Sequence, residues 1–184
     1  MVDKEYLDKF ESNMQEGLHG YLLRLGEVDE MMPDAPDIEE KWQEIGSAYM
    51  EDGVREYAGY PTVSLGWMLY VGMAVAKMWD ENWEKYAAVD NLYLLVRTPR
   101  GYDCMDEYVR EEVLGLKGEE YKALEKLVGD VATIALRGIQ REQFEPGCAM
   151  AFHAYVRVLH VLYTIGAAVQ LHRMGYKMEK MEGI

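Results

Sequence analysis

The segment from Pro146 to Met174 constrains the fold of this chain more than any other. A helix that is apolar round most of its circumference is stable only when neighbours cover it on nearly every side, so this one belongs in the middle of a bundle. One narrow stripe interrupts the apolar surface. His153, Arg157, His160 and Thr164 follow at steps of four, three and four, which stacks them on a single face.

A second run, 62–79, matches it. Its first fifteen residues, 62–76, carry no charge; that is too short for a bilayer crossing and reads as a buried core helix. Gly72 and Ala76 stand four apart with Gly66 nearby, and the last helix has its own small patch at Gly166, Ala167 and Ala168. Small residues at that spacing let two backbones approach closely. The two helices are predicted to cross there and form the centre of the molecule.

The remaining segments are amphipathic. Leu7, Phe10, Met14, Leu18, Leu25, Val28 and Met32 recur at three- and four-residue steps, predicting a first helix of about 25 residues from Asp3. Gly17, Gly20 and Gly26 lower its propensity, and Pro33 and Pro36 end it. Asp37, with Glu40 three residues on, is placed to cap a second helix whose inner face is Ile38, Trp42, Ile45, Tyr49 and Tyr57. Gly59 would close it in a left-handed cap. The Gly-Tyr pair recurs at 101–102 and 175–176, suggesting tyrosines folded back over helix ends. Asp80, Glu81 and Asn82 cap a helix over 83–97, with Asp90 inside its apolar face. Asp103 opens a short helix to about Leu116, Gly118 opens one to about Phe144, and Pro146 suits the first position of the last.

No stretch alternates with period two for long, and no hairpin turn or glycine-rich phosphate loop is present. The fold class is therefore all-α: a single-domain bundle of six or seven helices over 1–184. It divides into an acidic helical hairpin (3–58), core helices (62–174) and a short tail (175–184).

The net charge is −14, concentrated in residues 1–60, where 16 acidic face 5 basic side chains. Such an acidic surface cannot replace the counterions of a phosphate backbone, which argues against nucleic acid. It reads as solvated surface or, more sharply, as a docking face for a basic partner. Two cysteines make no disulfide framework and the N-terminus has no apolar leader, so a cytoplasmic, non-membrane protein is expected.

The stripe is the candidate site. Buried, Arg157 would need a carboxylate partner, for which Asp90 comes first and Asp130 second; with His153, His160, Thr164 and a nearby Arg100, it would make a pocket for a small anionic ligand. Solvent-facing, it would be only the wet side of a central helix. A di-iron site needs two Glu-x-x-His pairs, and the chain has one, ending at His19. His153 and His160, two turns apart, cannot share one metal. Cys148 and Cys104 each sit at a helix start, where a thiol is acidified, but neither has a neighbouring histidine in register. No metal, cofactor or catalytic group is assigned. The abundance of Met and Tyr fits core filling and an interaction surface, including a homo-oligomeric one. The leading functional reading is a protein-interaction or scaffold module without catalysis, with the small-anion pocket as the alternative; a metal- or thiol-dependent enzyme ranks below both.

Overall fold

The computed structural model describes residues 2–177. Among them there is no strand, and eight α-helices form an all-α bundle: α1 (Lys4–Arg24), α2 (Pro36–Glu40), α3 (Trp42–Gly59), α4 (Pro61–Ala87), α5 (Leu92–Arg97), α6 (Met105–Tyr108), α7 (Gly118–Arg141) and α8 (Ala149–Arg173). A 3-10 turn precedes α6 (Tyr102–Cys104), and a π turn follows it (Val109–Val113). The tail beyond Lys177 lies outside the described residues.

α4 and α8 form the centre, crossing where the small residues predict. A Cβ on Gly72 would lie 2.2 Å from the Tyr163 carbonyl oxygen, and one on Gly166 would lie 2.3 Å from that of Leu69. Each helix therefore presses its backbone into a gap the other leaves. Fourteen residues of α8 are buried, from Ala154 to Leu171. Among the described residues α8 is also the one helix long and apolar enough to cross a membrane, and 78% of its apolar window is covered by the fold. α1 packs on one flank of this pair through Leu7, Phe10, Met14, Leu18 and Leu22. α7 lies against α4 through Leu124, Val128, Val131 and Ala135.

Several helix ends differ from the periodicity. α1 stops at Arg24, well short of Met32. Gly26 adopts φ +74°, its N–H bonds to the Leu23 carbonyl and the Glu27 N–H to that of Leu22, a Schellman closure. Val28 and Met32 keep the helical spacing, but they face the core from an irregular segment. Asp37 lies inside α2, where Pro36 takes the first turn, and its carboxylate accepts from the Trp79 indole at 3.2 Å. Gly59 is helical; Tyr60 and Pro61 turn the chain directly into α4. Of the three Gly-Tyr pairs, Gly101 (φ +80°) and Gly175 (φ +92°) are left-handed. Tyr102 is buried, whereas Tyr60 is exposed and Tyr176 leans on Trp79.

α4 continues past Trp79 through a kink at Asn82, whose side chain accepts from the Lys85 N–H. The predicted 83–97 helix is therefore two pieces, parted by an exposed turn holding Asp90 and by Asn91 at φ +65°. α5 is capped from a distance: the Leu92 N–H bonds to Glu44 of α3 at 3.1 Å, and Asp52 of α3 holds both Tyr93 and Arg97. α7 ends at Arg141. Pro146 sits before α8, in a turn closed by the Cys148 N–H to the Glu145 carbonyl with Gly147 at φ +79°. These are the residues a type II turn requires. The count exceeds the expected six or seven because of these short pieces.

Candidate functional site

The stripe on α8 points at α1. Asp8 and Glu11 lie one turn apart on the polar flank of α1, beside its buried Leu7 and Phe10, so the packing that covers α8 also carries both carboxylates onto its polar line. Arg157 donates from one terminal nitrogen to Asp8 at 2.7 Å and to Glu11 at 3.0 Å. Its side chain is 24% exposed. The answer to the sequence question thus lies between the two extremes: Arg157 is half-buried and already paired. Its partners are neither Asp90, which is exposed in the turn after α4, nor Asp130, which pairs with Lys126.

His160, one turn on, lies between two carboxylates. Nδ1 is 3.1 Å from Glu11 and Nε2 is 2.6 Å from Glu39 of α2. Only the doubly protonated ring can donate to both. Burial pulls the imidazole pKa down, but the bonds to Glu11 and Glu39 outweigh it and leave it above its ordinary value. The ring stacks on Trp42 at 4.9 Å with 8° between planes, a favourable face for a cation. Glu11 is shared by Arg157 and His160. Desolvation raises it, and the hydrogen bonds from both cations hold it below the usual carboxylate range. The result is a clasp of two cations and three carboxylates joining α1, α2 and α8.

The other nominated residues stand apart from the clasp or serve the backbone. Thr164 donates back to the His160 carbonyl at 3.0 Å. His153 is exposed, its ring edge-to-face with that of Phe152. Arg100 is taken up by Glu111 and Glu112. Cys148 caps α8, its sulfur accepting from the Ala151 N–H at 3.3 Å, and both cysteines are free thiols.

Beside the clasp opens a cleft of about 490 Å³ between α1, α2 and α8. Asp8, Glu11, Glu16 and Glu39 line it, with His19 and His160. Glu16 has no ion-pair or hydrogen-bond partner among the described residues. Against four carboxylates stand Arg157, His160 and Lys4, which also pairs with Asp8, so the cleft keeps net negative charge. Among the described residues no group of three or more His, Cys, Asp or Glu side chains is arranged to hold a metal ion.

Two further polar networks lie inside the bundle. Arg110 is the chain's buried arginine, its side chain 3% exposed. It donates to Tyr70 at 2.6 Å, to Tyr121 at 3.0 Å and to Asp106 at 3.3 Å, and its guanidinium lies 4.2 Å over the Tyr121 ring. Desolvation raises the Asp106 carboxyl. In the second network, buried Ser64 links Tyr155 to the Gly53 carbonyl, and Tyr49 bridges the Ser64 carbonyl and Tyr102. Burial pushes these phenols up; they stay protonated and hold the core together. Neither network had a local signal, since Arg110 sits in an acidic run that reads as surface.

Comparison with protein-family models, with curated proteins and with solved structures finds no match to this chain.

Proposed function

We propose that this chain is a protein-interaction module without catalysis, and that its binding face is the acidic cleft between α1, α2 and α8. The partner it fits presents a lysine- or arginine-bearing segment. The observation that carries this reading is the residual negative charge of the cleft: among the described residues Glu16 is unpaired, and the cations at the rim, Lys4, Arg157 and His160, are already taken up by Asp8, Glu11 and Glu39. A basic side chain entering the cleft gains Coulomb attraction without first displacing a salt bridge. Electrostatic complementarity of this kind sets partner choice and association rate more than bulk affinity.

The small-anion reading has weaker support. An anion approaching Arg157 must replace two carboxylates that hold it at 2.7 and 3.0 Å, and it must enter a field of its own sign.

Titration with a short oligolysine peptide at low ionic strength tests the proposal. Binding is expected to perturb the amides around Glu16 and Glu39, to weaken with added salt, and to be lost in Glu16→Lys. The reversal Glu51→Lys on the exposed face of α3 makes the same change in net charge and should leave most of the binding. Equal loss in both variants, or no binding at low salt, refutes the proposal.

A further inference from the structure

On the other side of the segment joining α1 to α2 lies a second cavity, of different chemistry. It has a volume of about 120 Å³ and lies between that segment, α4 and the C-terminal end of α8. Its walls are largely apolar: Val28, Pro33, Ile38 and Leu171 line it. Trp79 and Tyr176 close one corner, their rings 5.4 Å apart at 64°. Both rings are fixed at their polar ends, the indole N–H donating to Asp37 at 3.2 Å and the Tyr176 hydroxyl to Asp80 at 2.5 Å. The Schellman closure at Gly175 sets where Tyr176 stands, because the Tyr176 N–H bonds to the Leu171 carbonyl. His19 holds another part of the lining by donating to the Asp29 carbonyl at 2.7 Å.

The charge at this cavity is also one-sided. Asp34 and Asp37 line it, and Asp34 has no hydrogen bond or ion pair among the described residues. The cationic candidate in the lining, His172, is matched by Asp29 at 3.1 Å.

We propose that this cavity binds the methylated ammonium head of a small organic cation. Three features select that class together. Carboxylates at the rim favour a positive charge and oppose an anion. Apolar and aromatic walls cannot replace the water shell of a metal ion or a bare ammonium, but they suit a cation clothed in methyl groups, which an aromatic face attracts through its quadrupole. The volume, about four times the roughly 30 Å³ share of one water, admits a trimethylammonium group and excludes a nucleotide. The site is separate from the acidic cleft and does not rest on that reading.

The test is a titration of the full chain with choline, followed by calorimetry and by the Trp79 indole N–H resonance. Saturable binding that moves this resonance is expected. The uncharged isostere 3,3-dimethylbutan-1-ol should bind about tenfold more weakly, the worth of a cation over desolvated rings. Tyr176→Leu should weaken choline about threefold, as at an exposed ring, and Tyr176→Phe less, because the ring holds the ligand and the hydroxyl only anchors it to Asp80; Tyr176 is exposed, so neither change threatens the fold. Asp34→Asn should also weaken choline, and Glu16→Lys should not. Two further ligands separate a free metabolite from a modified side chain: a peptide carrying trimethyl-lysine and the same peptide unmodified. Tighter binding of the modified peptide than of choline assigns the site to methylated lysine. Equal binding of choline and its isostere, indifference to Tyr176→Leu, or the absence of saturable binding overturns the proposal.

Discussion

Replacing Gly72 with alanine tests the packing on which every other feature depends. The added methyl would stand 2.2 Å from the Tyr163 carbonyl oxygen and 3.1 Å from the Ala167 nitrogen. An ordinary carbon–oxygen contact is about 3.3 Å or more, so α4 and α8 must part by roughly 1 Å at their crossing. The atoms in the way are backbone and cannot rotate aside. Overpacking of this kind costs typically 1–3 kcal/mol, and opening the best-packed helix pair puts Gly72→Ala at the upper end. A gap of that size also forfeits about a quarter to a half of each dispersion contact across it. Against this stands a gain of about 1 kcal/mol in helix propensity, leaving a net loss of about 2 kcal/mol or more. Gly17→Ala and Gly129→Ala are the controls. Both positions are exposed, with nothing within 4 Å of the new Cβ, and each should gain about 0.5–1 kcal/mol. Urea unfolding followed by circular dichroism gives all three midpoints. A Gly72→Ala midpoint equal to or above that of the parent chain refutes the close crossing.

Arg110→Ala should cost about 3 kcal/mol or more, because it strands the half-buried Asp106 and removes the donor to Tyr70; pairing Arg110→Met with Asp106→Leu should recover most of that loss, as read from urea midpoints. Cys148→Ser should raise stability by about 0.5–1 kcal/mol, since an oxygen accepts the Ala151 N–H better than sulfur does; a lower melting temperature contradicts the cap. The clasp should impose a pH window on stability. The His160 pKa is raised above 6.5, so its contribution is full below about pH 6.5 and fades as pH rises through the raised value; Glu11 is held below 4.5, so its contribution is full above about pH 4.5 and fades on further acidification. Melting temperatures across pH should therefore show a contribution greatest between these limits; His160→Gln should remove its high-pH edge, while Arg157 keeps part of the low-pH one.

The parts of the fold legible in the sequence are those written within single elements. Two strongly apolar runs, one of them free of charge over 62–76, announced the central pair, and Gly72 and Gly166 marked where their backbones meet. The exposed-or-paired question at Arg157 was likewise posed correctly by one helical wheel. Its answer was not available locally. Asp8 lies 149 residues from Arg157, and which acids reach a helix depends on the register of packing between distant elements. Asp90 shares an apolar helical spacing that the turn at Asn91 breaks up. The same limit hid the cap that Glu44 supplies to α5. Helix ends misled where spacing outlived the helix: Val28 and Met32 stay in phase beyond Gly26, although the chain has already turned. Arg110 was hidden by its acidic neighbours, because burial of a charge is decided by the tyrosines that close over it.

Arg157 and His160, the middle of the polar stripe on the core helix, are committed to a clasp between helices, with His160 carried as an imidazolium between Glu11 and Glu39. Nitrogen-15 resonances of the His160 ring, followed through a pH titration, measure this directly. Both ring nitrogens are expected to be protonated at neutral pH, with a titration midpoint above the ordinary 6.5 that falls when Glu39→Gln removes one negative charge. A neutral ring at pH 7 with a midpoint at or below 6.5, unmoved by Glu39→Gln, would contradict it.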